Sequence, residues 1–94
     1  MEISIGICPG PDAVELALLA EELGYHRAWL YDSAALYEDI WINLANIVSA
    51  TESLPVGTAV LVPNLRHVMA TASAIATIER MAPGRLVCGF GTGF

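Results

Sequence analysis

The chain has 94 residues, enough for one small domain at most. It is 55% hydrophobic with a mean hydropathy of +0.58, so a chain this small needs a partner surface or more chain to cover its apolar residues. Ten acidic residues against four arginines and no lysine give a net charge of −6, which argues against a nucleic-acid backbone or an anionic membrane surface as partner.

Met1-Glu2-Ile3 carries neither the basic region nor the apolar run of a signal peptide. No apolar run approaches the length of a membrane span. Glu2 to Ile7 reads as a first strand, closed by Cys8-Pro9-Gly10-Pro11. Asp12 then caps a helix, with Glu15 as its capping-box partner. Val14, Leu16, Ala17, Leu18, Ala20 and Leu23 form that helix's apolar face, and Gly24 stops it. Arg27 to Tyr31 is a second strand ending on Asp32-Ser33. After a loop through Tyr37, Glu38 or Asp39 starts a second helix, where acidic residues suit the dipole. Ile40, Trp41, Leu44, Ile47 and Val48 give it a buried stripe.

The third strand, Val56 to Val62, has little side-chain bulk at Gly57-Thr58-Ala59. Such a strand either packs helices closely, or bulges and lets something flat lie on its backbone. A third helix runs from about Arg66 to Met81, with Val68, Met69, Ala72, Ile75, Ala76 and Ile78 as its apolar face. Pro83-Gly84 ends it, and Arg85 to Gly89 is a fourth strand running into Phe90-Gly91-Thr92-Gly93-Phe94. Cys8 and Cys88 both fall in these expected strands. They read as isolated buried thiols of a reducing cytoplasm, with no disulfide and no metal-ligand spacing.

The order β-α-β-α-β-α-β at this spacing predicts a parallel α/β sheet. A doubly wound sheet and a (β/α)8 barrel share that grammar. The chain stops on a strand and a glycine turn, so it reads as the first half of a (β/α)8 TIM barrel over 1–94, either a fragment of a longer chain or a truncated reading frame.

In both architectures the functional edge lies where strands end. Asp32 is the only carboxylate at a strand end; it is either a turn residue or a hydrogen-bonding partner, acid or base for a ligand. Gly89-Phe90-Gly91-Thr92-Gly93 is GxGxG rather than GxGxxG, and follows the fourth strand rather than the first. It is either a tight barrel-end turn or a loop that lets a ligand approach backbone N–H groups, with Thr92 as a hydroxyl donor. His67 reads as a hydrogen-bonding helix-start residue, or as a ligand contact. Trp29, Trp41 and Arg85 read as structural. No residue is assigned as catalytic, because no second group completes a dyad or triad with His67.

Three blocks carry a more specific signal. Ala20-Glu21-Glu22-Leu23-Gly24-Tyr25 with Ala28-Trp29-Leu30-Tyr31-Asp32, then Gly57-Thr58-Ala59-Val60 with Pro63 and Arg66-His67, then Glu79 to Arg85 through Gly91-Thr92-Gly93, occur in that order. Together they resemble the bacterial luciferase-like monooxygenase superfamily, and most closely its deazaflavin-dependent branch, which includes the methylenetetrahydromethanopterin reductases. The resemblance implies a barrel of about 300 residues, with a 5-deazaflavin coenzyme (F-420) or FMN at its mouth.

Carried over by position, Asp32 would contact the ring's polar edge. Ala59 and Val60 would back the ring, Val62 would lie just beyond, and Thr92 and Gly93 would line the mouth. The family places a bulge and a non-prolyl cis peptide at the position of Ala59-Val60. A cis bond is therefore expected in the complete enzyme, while a trans bond in the isolated chain would be no surprise. Val68 stands where the family often has proline. Phe94 stands where sugar-phosphate-oxidising relatives have an acidic residue, which argues against their proton-transfer chemistry and leaves a reductase or an oxygenase.

The implied function is an oxidoreductase that moves a hydride between the reduced cofactor and a small organic substrate, with a pterin-like one-carbon carrier as one candidate. The full-length protein is expected to be a homo-oligomer and the 94-residue chain to be inactive. One alternative is an FMN-dependent two-component monooxygenase. The other is a non-enzymatic half-barrel that self-associates through its open sheet edges.

Overall fold

The computed structural model describes residues 1–93; Phe94, and the expectation placed on it, lie outside the described residues. Four strands alternate with three helices: β1 (Ile5–Ile7), α1 (Ala13–Glu22), β2 (Ala28–Leu30), α2 (Ile40–Ala50), β3 (Val56–Leu61), α3 (Val68–Met81) and β4 (Leu86–Phe90). The strands pair in parallel in the order β1-β2-β3-β4. That order decides between the two architectures. A doubly wound sheet reverses direction at a switch point, whereas this sheet winds one way only, as the first half of a (β/α)8 barrel does.

Register divides the sheet into two faces. Ile5, Ala28, Val56 and Leu86 form one row, and Ile7, Leu30, Thr58 and Cys88 another. Most of these side chains are buried with Leu44 and Ile47 of α2 and Ile78 of α3. The row between them, Gly6-Trp29-Gly57-Val87, points to the opposite, inner face. Trp29 therefore packs on the inner face rather than in the helix-covered core. Its ring lies across Gly57, where an added Cβ would come within 2.5 Å of Cζ3. Gly6 likewise makes room for the Tyr31 hydroxyl.

The helices begin and end for local reasons. Asp39 is the N-cap of α2, its carboxylate accepting the Ile42 N–H at 2.8 Å. His67 caps α3 through Nδ1, which accepts the Met69 N–H at 3.1 Å. At the end of α1, Gly24 (φ +79°) lets the Gly24 and Tyr25 N–H groups turn back onto the carbonyls of Glu21 and Ala20. The Glu21 carboxylate then accepts the N–H groups of Glu52, Ser53 and Leu54, holding the α2–β3 connection against α1. Arg85 is structural as expected: it donates to Leu54 O at 2.9 Å and to Thr51 Oγ1.

Several expectations are corrected. All four strands differ from their expected bounds, and α3 starts at Val68 because Pro63–Leu65 form a single 3-10 turn. Asp12 makes no side-chain cap and no capping box with Glu15. Its own backbone is already helical (φ −93°, ψ −2°), whereas a capping residue needs an extended conformation to aim its carboxylate at the following amides. The face that α1 buries is Ala13, Ala17 and Ala20, with Leu16, Leu18 and Leu23 exposed. Alanines let the helix lie close on the sheet and turn the leucines outward. On α3, Thr71 and Ile78 are buried, while Val68, Met69, Ala72 and Ala76 are exposed. Of the expected face only Ile78 is buried, and the buried Thr71 was not part of it. Cys8 is exposed just beyond β1, not buried within it, and Cys88 is half-buried in β4.

Candidate functional site

The site grows from the end of β3. Thr58 pairs with Cys88 and Leu61 with Phe90, so three steps along β3 match two along β4. The extra residue makes a bulge at Ala59-Val60, and the Ala59–Val60 peptide bond is cis. Strands β3 and β4 approach closely on both sides of it. Thr58 Oγ1 donates to Gly89 O at 2.9 Å, and Gly91 N–H donates to Leu61 O at 3.1 Å. A Cβ at Gly91 would sit 2.9 Å from Val60 Cγ2, and one at Gly93 would sit 2.7 Å from Val62 Cγ2. The two glycines thus let the turn after β4 lie flat against the end of β3.

A cavity of about 430 Å³ opens at these strand ends, lined by Tyr31, Asp32, Ser33, Tyr37, Ala59, Val60 and Gly93. Its size is within the range of small-molecule sites, roughly 300–1,000 Å³. One wall is the short, apolar Ala59-Val60 pair. Tyr31 and Tyr37 also line it, their ring centroids 6.2 Å apart. Tyr37 reaches this position because the Leu36 and Tyr37 N–H groups both turn back onto Ser33 O. Interaction with the Cys8 thiol pushes the Tyr37 phenol above its ordinary pKa. Tyr31, Ala59 and Val60 also line a second hollow of about 470 Å³ on the inner face, with Trp29 and Gly89 below.

Asp32 borders the cavity but spends its charge inward. Its Oδ1 accepts from Arg66 Nη2 and its Oδ2 from Arg66 Nη1, both at 2.7 Å, in a bidentate pair. Oδ2 also accepts the Val62 N–H at 2.9 Å. Burial alone would raise the Asp32 carboxyl, but the Arg66 and Val62 hydrogen bonds outweigh it and hold the group below the usual carboxylate range. The Asp32 hydrogen bonds in turn raise Arg66. Arg66 Nη2 lies 3.8 Å from Asp39 Oδ1 as well. Asn43 ties in the first loop: its Oδ1 accepts the Gly10 N–H, and its Nδ2 donates to Asp39 O.

Of the residues singled out in the sequence, Asp32, Ala59, Val60 and Gly93 meet at this cavity. Val62 lies beside it, lining an adjoining hollow of about 310 Å³ with Ser33, Leu36 and Leu65. Thr92 is exposed and outside the cavity lining. Sequence reasoning missed Tyr31, Ser33, Tyr37 and the Arg66 partner of Asp32. Tyr31 and Ser33 flank Asp32 at a strand end and were findable; Tyr37 sits in a loop with no pattern to mark it.

A family profile described as Luciferase-like monooxygenase matches residues 8–94. The 5,10-methylenetetrahydromethanopterin reductase of Methanopyrus kandleri is 33% identical over 98 residues, covering 98% of this chain and 28% of that protein. An F420-dependent hydroxymycolic acid dehydrogenase of Mycobacterium tuberculosis is 34% identical over 85 residues, covering 82% of this chain and 24% of that one. The solved coenzyme F420 dependent tetrahydromethanopterin reductase from Methanopyrus kandleri superposes with a TM-score of 0.85 at 29% identity, covering 99% of this chain and 27% of that one. The monooxygenase RslO1 from Streptomyces bottropensis superposes with a TM-score of 0.83 at 26% identity, covering 98% and 34%. The chain thus spans about a quarter to a third of the length of these relatives.

Proposed function

Since the chain belongs to the luciferase-like monooxygenase family, we propose that it forms the ring-backing half of a deazaflavin-dependent oxidoreductase. The whole protein would move a hydride between the reduced cofactor and a small organic substrate. The observation that carries this reading is the cavity walled by the β3 bulge, in a chain whose relatives include enzymes F420-dependent by name.

The residues present fit a flat ring system. Ala59 and Val60 offer a short apolar wall. Gly91 and Gly93 stand where no Cβ has room, and Tyr31, Tyr37 and Ser33 complete the lining. A bound deazaflavin would supply the hydride chemistry. The chain's own part is to back the ring, hold its orientation and keep water from one face.

Titrating the protein separately with the deazaflavin coenzyme and with FMN, while following each absorbance spectrum, tests the reading. Perturbation of the deazaflavin spectrum is expected, and no change in either spectrum would sink the proposal. A second reading, an FMN-dependent monooxygenase, is favoured by the likeness to RslO1. Oxygen consumption with reduced FMN separates the two, because a deazaflavin does not readily activate oxygen.

A further inference from the structure

We propose that Arg66 is the positioning residue of this mouth: clamped on Asp32, it fixes the bulged end of β3 and so the wall on which a cofactor ring would rest. The last part rests on the function proposed above; the anchoring itself does not.

The geometry is a closed clasp. The connection from β3 to α3 leaves the sheet at Val62, makes one 3-10 turn over Pro63–Leu65, and returns at Arg66. Both ends of it are held by one carboxylate. Asp32 takes the Val62 N–H at one end and the Arg66 guanidinium at the other. Asp32 is only 6% exposed, so without the guanidinium it would be a buried, unpaired charge. Neither partner is replaceable by a simpler group. A lysine ammonium is a point charge and cannot serve both oxygens in parallel.

The clasp reaches the cavity through side-chain contacts. Val62 packs against Gly93, and Val60 packs against Gly91. Moving the Val62 backbone therefore moves both the bulge and the turn after β4. Arg66 does not itself line the cavity, which makes it a positioning group and not a ligand contact. The titratable groups around Asp32 are Arg66 from the β3–α3 connection, Asp39 at the start of α2, and the phenols of Tyr31 and Tyr37, which line the same cavity.

The test uses Arg66→Met and, as the charge-retaining variant, Arg66→Lys, each followed by amide hydrogen exchange and by deazaflavin titration. In the parent protein the Val62 amide should be protected, and its chemical shift should titrate with Asp32 below the ordinary carboxylate range. In both variants that titration should move to higher pH and Val62 should exchange faster, while the amides of Leu44 and Ile47 in α2 keep their protection. Deazaflavin binding to Arg66→Met should weaken about tenfold, the equivalent of one lost hydrogen bond to a charged group.

If the parent binds and Arg66→Met binds equally well, the positioning role is overturned. Unchanged Val62 exchange in Arg66→Lys overturns the clasp, and does so even if Arg66→Met fails to fold. A parent that binds no deazaflavin sinks the proposed function instead, and the Val62 measurements then decide the clasp alone.

Discussion

Replacing Gly57 by alanine tests the inner face on which the site rests. An added Cβ would meet Trp29 Cζ3 at 2.5 Å, Trp29 Cε3 at 2.7 Å and the Val87 carbonyl oxygen at 2.7 Å. All three are inside the distance that real Cβ contacts keep, and neither neighbour yields easily. The Trp29 ring is held by the Arg27 guanidinium, 5.6 Å from its centroid, a contact worth about 0.5–1 kcal/mol at partly exposed sites. The Val87 oxygen belongs to the backbone of β4, which pairs residue for residue with β3 from Val56 to Thr58.

Overpacking of this kind costs about 1–3 kcal/mol, and the backbone clash places Gly57→Ala in the upper half of that range. For a domain of this size that lowers the melting temperature by roughly 8–24 °C. Urea denaturation of the 94-residue chain measures it. Gly10→Ala is the control: the nearest atom to its Cβ is Cys8 O at 3.9 Å, so stability should hold or rise slightly. Shortening Trp29 to leucine in the Gly57→Ala background should recover part of the loss, and the Val87 part should remain. A Gly57→Ala chain within about 0.5 kcal/mol of the parent, the ordinary range for neutral surface substitutions, would refute the packing argument.

Glu21→Gln should cost about 1–2 kcal/mol, since one amide oxygen cannot replace a carboxylate that accepts three backbone N–H groups. The hydrogen bond from Ser53 leads the causes that hold the Glu21 carboxyl below its ordinary value. Its contribution is therefore complete above the unfolded pKa and lost as pH falls through the lower folded one; parent and variant should converge in acid urea melts. Gly91→Ala should push Val60 toward the cavity and weaken cofactor binding more than it lowers the melting temperature, with spectral titration beside a melt as the check. The 94-residue chain alone should show no hydride transfer between reduced deazaflavin and substrate, because it provides only part of a barrel mouth; measurable turnover would refute that.

The fold was legible because it is written in strand spacing and apolar runs. The site was legible only where chemistry coincided with strand ends: the small residues around Ala59-Val60, the carboxylate of Asp32, and the glycines at 91 and 93. Helix faces were less so. On α1 and α3 the apolar residues circle most of the helix, and periodicity does not say which arc meets the sheet. Small residues such as Ala17 and Thr71 are among those buried. Tyr37 was invisible, since a turn on Ser33 O brings it to the cavity. The role of Arg66 was hidden for a similar reason: an ion pair across 34 positions is set by topology and leaves no local pattern.

The fate of the arginines bears on what this part of the mouth can hold. Arg27 donates to the carbonyls of Val56 and Arg85, Arg85 to Leu54 and Thr51, and Arg66 to Asp32. Three of the four cations are thus turned inward, and Arg80 lies exposed in the last turn of α3, far along the helix from the strand ends. The N-termini of α2 and α3 are also engaged, by Asp39 and His67, and the uncapped start of α1 carries Asp12 and Glu15, whose charges oppose a phosphate there. The described residues therefore suit the ring of a flavin or deazaflavin and offer its phosphate tail little. The 94-residue chain should bind riboflavin about as tightly as FMN, within roughly threefold, a difference of under 1 kcal/mol. Fluorescence titrations with the two ligands make the comparison. A preference for FMN of about a hundredfold, nearly 3 kcal/mol, would mean that a phosphate site exists within these residues and that one of the arginines leaves its internal partners to make it.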